Sequence, residues 1–305
     1  MLAIKVETEN GQTHARIAPE RLRELVHRIG GSGDRFLTVQ RIPDIPSVFA
    51  QVWHEEGGDY RLEHRLRDDQ FSGTNLTDPE RVADALTGWA RQRDGWDAGL
   101  AWEPVDLGPR EEIPELAPEV RERAEEFARR MVREGYLGIS ELVRETVYLM
   151  RGRQDQAPLS EAQAGEIVER LWLERLDEQA TWTGTTDPDR LEQAFAALEL
   201  GGIVSREDFT CCRSCGMAEI DAEADGKEGA RGFVFFHHQG TESAAEGHGL
   251  ALYYGAFDES EERTAEIGRE VVAALTAAGL SPEWDGSPAK AIEVRDLDWR
   301  KRLTG

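Results

Sequence analysis

Apolar residues along this chain recur with two different periods, and the order in which the periods follow one another confines it to a mixed α and β architecture. Leu2, Ile4 and Val6 alternate with polar residues, as in a strand with one buried face. Leu22, Leu25, Val26 and Ile29 then recur at helical spacing up to the Gly30-Gly31 stop. Two strands are expected at 48–54 and 60–66, joined by Glu55-Glu56-Gly57-Gly58-Asp59. In the second, Tyr60, Leu62, His64 and Leu66 share one face and Arg61, Glu63 and Arg65 the other, which predicts an antiparallel hairpin with one wet side. Thr77 is placed to cap a helix that opens with Pro79 and Glu80 and buries Val82, Ala85, Leu86 and Trp89.

Two prolines and a glycine among charged residues make 106–114 the expected join between domains. Helical stripes follow: Leu116, Val120, Ala124, Phe127 and Met131, then Leu142, Val143, Val147 and Met150. Ser160 and Gln163 form a capping box before Ile167, Val168, Leu171 and Trp172. Thr186 caps a further helix through Leu191, Phe195 and Leu198. Thr77-Asp-Pro-Glu-Arg and Thr186-Asp-Pro-Asp-Arg look alike because both suit a helix start, not because the chain is duplicated. Aromatic and β-branched runs at 232–236 and 250–254 read as strands separated by a polar connection containing Gly240, Thr241, Glu242, Glu246 and Gly247. A last helix begins at Ser260, and Trp284 and Ile292 with Val294 read as strands about the Asp285-Gly286 turn. The expected fold class is α+β. Residues 1–108 form a small α/β-sandwich-like domain with an antiparallel hairpin, and 115–305 a helical region packed on an antiparallel sheet.

With 39% hydrophobic and 31% charged residues, the chain has too much core-forming material to be disordered. Its formal charge of -24 repels phosphate backbones and anionic lipid, so neither nucleic acid nor a membrane is expected as a partner, leaving a protein or small molecule. No stretch has the composition of a signal peptide or a membrane span, and the cysteine usage fits a reducing compartment, so a cytoplasmic location is expected.

All three cysteines lie within five positions: Cys211, Cys212 and Cys215. Cys212-Arg213-Ser214-Cys215 is a CxxC element whose thiolates can converge on one ion, and zinc takes about four such ligands or imidazoles in a tetrahedron. The available nitrogens are on His237, His238 and His248. The sharpest reading is a structural zinc site of Cys212, Cys215, His237 or His238, and His248. Adjacent residues of a strand face opposite sides, so only one of His237 and His238 would reach the ion. A second reading makes Cys212 or Cys215 a redox or nucleophilic thiol in a hydrolase or thiol-dependent enzyme, with Glu219 or Glu242 nearby. A third leaves the thiols as small buried hydrophobes in a protein with no metal or catalytic centre.

The block Phe209-Thr-Cys-Cys-Arg-Ser-Cys-Gly216 with Ala218-Glu219-Ile220, followed by Gly232-Phe-Val-Phe-Phe-His237 and Thr241-Glu242, resembles a bacterial domain-of-unknown-function family, number 6891, over about residues 115–295. The resemblance implies that Cys211, Cys212, Cys215, Gly216, Glu219, His237, Thr241 and Glu242 build one local structure. It implies no activity, and it leaves the choice between metal ligation and packing open.

Overall fold

The computed structural model describes residues 1–66, 70–108, 112–153, 156–227 and 229–304. Its Cα positions group into two compact units, one from Met1–Glu122 with Gly138–Leu173, the other from Arg123–Leu137 with Glu174–Arg302. The chain is α+β, with an antiparallel sheet in the first unit and helices packed on a second, mostly antiparallel sheet in the other. Part of the expected 106–114 join, residues 109–111, lies outside the described residues.

In the first unit the chain runs β1 (Ile4–Thr8), β2 (Thr13–Ala15), α1 (Pro19–Arg28), β3 (Phe36–Arg41), β4 (Phe49–Trp53), β5 (Tyr60–Arg65), β6 (Phe71–Leu76), α2 (Pro79–Ala90) and β7 (Glu103–Pro104). The seven strands form one antiparallel sheet in the order β2-β1-β3-β4-β5-β6-β7. The hairpin expected at 48–66 is β4 and β5, in register from Phe49↔Arg65 to Trp53↔Arg61. Along β5 the alternation holds: Tyr60, Leu62 and His64 are buried and Arg61, Glu63 and Arg65 are half-exposed. Leu22, Leu25 and Val26 of α1 and Val82, Leu86 and Trp89 of α2 complete this core. The helix expected to be capped by Thr77 begins one residue later than that cap requires. Asp78 is the cap, its Oδ1 accepting from Glu80 N at 2.9 Å, because Pro79 occupies the first helical position.

Three helices follow: α3 (Pro118–Glu134), α4 (Ile139–Arg151) and α5 (Glu161–Ala180). The Ser160–Gln163 capping box is present, with Ser160 N donating to Gln163 Oε1 at 2.8 Å and Gln163 N to Ser160 Oγ at 3.2 Å. Trp172 is fully buried, and its indole N–H donates to the Asp44 carbonyl at 2.8 Å within the first unit.

The remaining elements are α6 (Asp187–Leu200), β8 (Ile203–Arg206), α7 (Arg213–Glu219), β9 (Gly232–Phe235), α8 (His238–Ala245), β10 (Leu250–Ala256), α9 (Glu261–Ala277), β11 (Pro282–Glu283) and β12 (Ile292–Val294). They form a five-stranded sheet in the order β11-β12-β10-β9-β8, in which only the β8–β9 pair is parallel. Thr186 caps α6 in a full capping box, so the two look-alike motifs start their helices one residue apart. Strand β9 is buried on both faces. Val234 and Phe236 join Phe195, Leu252 and Val271 in the main core, whereas Phe233 and Phe235 pack with Val204 and Ile220 on the other side. A two-sided strand reads as a continuous apolar run, as Gly232–Phe235 does. The polar connection expected after it folds instead as α8. Among the described residues no helix is long and apolar enough to cross a membrane.

Candidate metal centre

The parallel pairing of β8 and β9 brings their carboxyl ends side by side, each followed by a short loop and a helix. In open parallel α/β sheets ligands bind beyond the carboxyl ends of the strands, and this single parallel pair reproduces that arrangement locally. Here the loop 207–212 stays alongside the end of β9: Phe209 N donates to Phe236 O at 2.8 Å, Phe236 N to Arg206 O at 3.2 Å and His238 N to Thr210 O at 3.0 Å. These bonds hold the thiols and the two adjacent histidines on neighbouring stretches of backbone.

The three thiols gather on one another. Cys211, Cys212 and Cys215 have sulfur atoms within 4.8 Å of each other, with Cys211 Sγ 3.4 Å from Cys215 Sγ. Cys211 is exposed and the other two are half-exposed, so they are reachable thiols, not core filling. Helix α7 is seated by Gly216, which lies against the Phe235 ring so closely that an added Cβ would come within 2.4 Å of it. The Cys215 amide donates to the Cys212 sulfur, with the neighbouring thiols adding to the effect, and this lowers the Cys212 pKa below the ordinary thiol value. The Cys215 thiol is pushed up to about 11 by donation to, and repulsion from, the other two sulfurs. Three thiols this close are a donor set that could hold a soft cation.

The expected histidine ligands sit elsewhere. His237 is not on a strand: it caps α8, its Nδ1 accepting from Gly240 N at 3.2 Å, and its ring stacks on Tyr253 with centroids 5.4 Å apart. Burial lowers its pKa. His248 is an exposed residue 3.7 Å from Glu246 Oε2. Neither belongs to a group of metal-ligand atoms within 4.8 Å among the described residues. The reason is local: the chain leaves β9 after Phe235 and turns directly into α8, and Nδ1 of His237 is committed to the first turn of that helix. Glu219, at the end of α7, is exposed.

A second group forms where sequence reasoning expected none. Glu134, His238 and Glu242 bring one ligand atom each within 4.8 Å of the others. His238 and Glu242 are four residues apart on α8 and share a face. His238 Nδ1 lies 3.2 Å from Asp208 Oδ1, and its Nε2 lies 4.0 Å from Glu134 Oε2 and 4.0 Å from Glu242 Oε1. Asp208 also accepts from the buried Thr241 hydroxyl at 2.6 Å. The Asp208 hydrogen bond raises His238 to about 8, and burial raises Glu134 to about 7. Glu134 was readable: it falls three residues after Met131 on the apolar stripe of α3, where a carboxylate is out of place.

A cleft of about 310 Å³ opens beside α7, lined by Arg213, Met217, Tyr253 and Lys290 among others, but by none of the three thiols. Comparison with curated proteins and with solved structures finds no significant match. The family model described as "Domain of unknown function (DUF6891)" matches residues 117–303, which hold both groups of ligand atoms and well over half of the sequence, and the chain therefore belongs to that family.

Proposed function

We propose that this protein binds a soft divalent metal ion, zinc in the first instance, through Cys211, Cys212 and Cys215, and acts as a metal-dependent binding or regulatory protein in a reducing compartment such as the cytoplasm. The observation that carries the reading is the convergence of three reachable sulfurs within 4.8 Å. Three thiolates make a strong site for zinc and leave a fourth position to water or to a ligand from a partner. Relative to the expected Cys2His2 set, Cys211 takes the place of the histidines.

Titrating reduced, metal-free protein with Co2+ and then Zn2+ tests this. The expected result is a sulfur-to-cobalt charge-transfer band that saturates at one equivalent bound at the thiols and is displaced by Zn2+, with proton release on binding. The band would vanish in the Cys211→Ser, Cys212→Ser, Cys215→Ser triple variant and persist in His237→Ala and His248→Ala. A charge-transfer band that survives in the triple variant, or its absence from the parent chain, would overturn the assignment.

Thiol chemistry is the second reading, supported by the opposed shifts of Cys212 and Cys215. The position of the thiols outside the neighbouring cleft favours metal binding over it. Selective alkylation of Cys212 near neutral pH, blocked by zinc, would fit both readings; alkylation indifferent to zinc would favour thiol chemistry alone.

A further inference from the structure

We infer that Glu134, His238 and Glu242 form a second metal site, separate from the thiols, for a divalent ion of the first transition row harder than those the thiols select, such as Mn2+, with Asp208 orienting the imidazole. Two carboxylates and one imidazole are the donor set such ions take, whereas the sulfur trio selects softer ones.

The independent observation is an unsatisfied atom. The Glu134 side chain is only 4% exposed, and its buried Oε1 has no hydrogen-bond partner. A buried carboxylate oxygen left unpaired is costly, and such atoms need an explanation. Arg130 is its ion-pair partner but gives it no hydrogen bond. Its Nε stands 3.7 Å from Glu134 Oε1 and its Nη2 3.7 Å from Glu242 Oε1, too far for hydrogen bonds, and Nε is itself buried and unpaired. The guanidinium balances the charge of both carboxylates without hydrogen-bonding to either.

The imidazole is prepared for a metal. Asp208 engages Nδ1 at 3.2 Å and is itself held by the Thr241 hydroxyl at 2.6 Å, which leaves Nε2 turned toward both glutamates at 4.0 Å. A carboxylate behind a histidine, fixing its ring and raising its basicity, is the recurrent outer shell of metal-bound imidazole. Ligand atoms about 2.1 Å from a common ion lie roughly 3 to 4 Å apart, so small side-chain rotations close the group on an ion. His238 and Glu242 have side chains 40% and 31% exposed, which gives the ion an entry path and leaves part of its coordination to water.

The test is Mn2+ binding followed by the loss of the free-ion paramagnetic resonance signal, on the full chain first loaded with no more than one equivalent of Zn2+, which the thiols take, and again on the metal-free triple cysteine-to-serine variant. One bound Mn2+ per chain is expected in both, since manganese competes poorly for thiolates. Glu242→Gln and His238→Ala, both at half-exposed positions, would abolish it, and Asp208→Asn would weaken it by roughly 10- to 100-fold. Failure of the wild-type chain to bind Mn2+, or binding unchanged in Glu242→Gln and His238→Ala, would sink the site. Binding lost in the serine variant but kept in His238→Ala would move the ion to the thiols, overturning this inference and leaving the first one standing.

Discussion

Gly216 shows how one residue can set the position of a whole site. It lies in α7 under the Phe235 ring, and a methyl group there would meet Cε2 at 2.4 Å and Cζ at 2.6 Å, inside any tolerated contact. Phe235 is fully buried on a central strand and has no room to move away. Alanine would gain helix propensity of about 1 kcal/mol, yet the clash costs about 1–3 kcal/mol and should win. Gly216→Ala is therefore expected to destabilise the chain in denaturant by up to about 2 kcal/mol, and to weaken the proposed metal binding because α7 carries Cys215. Equal stability of the variant would mean that α7 is seated by something other than this contact. Glu134 illustrates the converse: on the apolar stripe of α3 it is the residue type that packing alone would not choose, and its burial is what points to a ligand.

Among the elements, the helix starts are where sequence reading was nearly right and wrong by one position. Thr77-Asp78-Pro79 and Thr186-Asp187-Pro188 offer the same two capping side chains, but Asp78 caps α2 and Thr186 caps α6. Asp78→Ala should cost about 1 kcal/mol of stability and Thr77→Ala less than about 0.5 kcal/mol, a contrast that equilibrium unfolding of the two variants would check. The reverse order would restore Thr77 as the cap. Helix α8 was hidden for a different reason. Its sequence, His-Gln-Gly-Thr-Glu-Ser-Ala-Ala, has weak propensity and no apolar stripe, and only its packing against β10 and the His237 cap make it helical. Strand β6 escaped notice because its polar and apolar residues mix without clean alternation, and β3 because its alternation, Leu37 to Gln40, spans only four residues.

Across the whole molecule, proton uptake couples to folding, and one buried imidazole gives that coupling a sign. His64 sits in the first unit with 7% exposure, between the edges of Trp96 at 5.0 Å and Trp102 at 4.5 Å, and its Nδ1 has no hydrogen-bond partner. Burial holds its pKa below the ordinary value, against a smaller opposing pull from Asp97. The folded state thus binds fewer protons than the unfolded one. Stability from this residue is fully present above about pH 6.5, and is lost as pH falls below that value toward the folded pKa, by at most about 1.4 kcal/mol per pH unit. The unfolding midpoint of His64→Phe should therefore fall less steeply on the acid side than that of the parent chain. Identical slopes would show that His64 is accommodated as the cation.

What the sequence determined alone is whatever depends on near neighbours: the β4–β5 hairpin, the stripes of α1, α2 and α9, the Ser160 and Thr186 caps, and the gathering of thiols within five positions. Periodicity and capping are local, so their signals survive in one dimension. The tertiary structure decided which side chains meet across long separations. It paired β8 with β9 in parallel, took His237 and His248 out of the thiol group, and carried Glu134, Asp208 and His238 together from three different elements and loops. Those meetings depend on how strands order in a sheet and how helices settle on it, and they are held by burial and hydrogen bonds between residues that the linear sequence keeps about 30 to 100 positions apart.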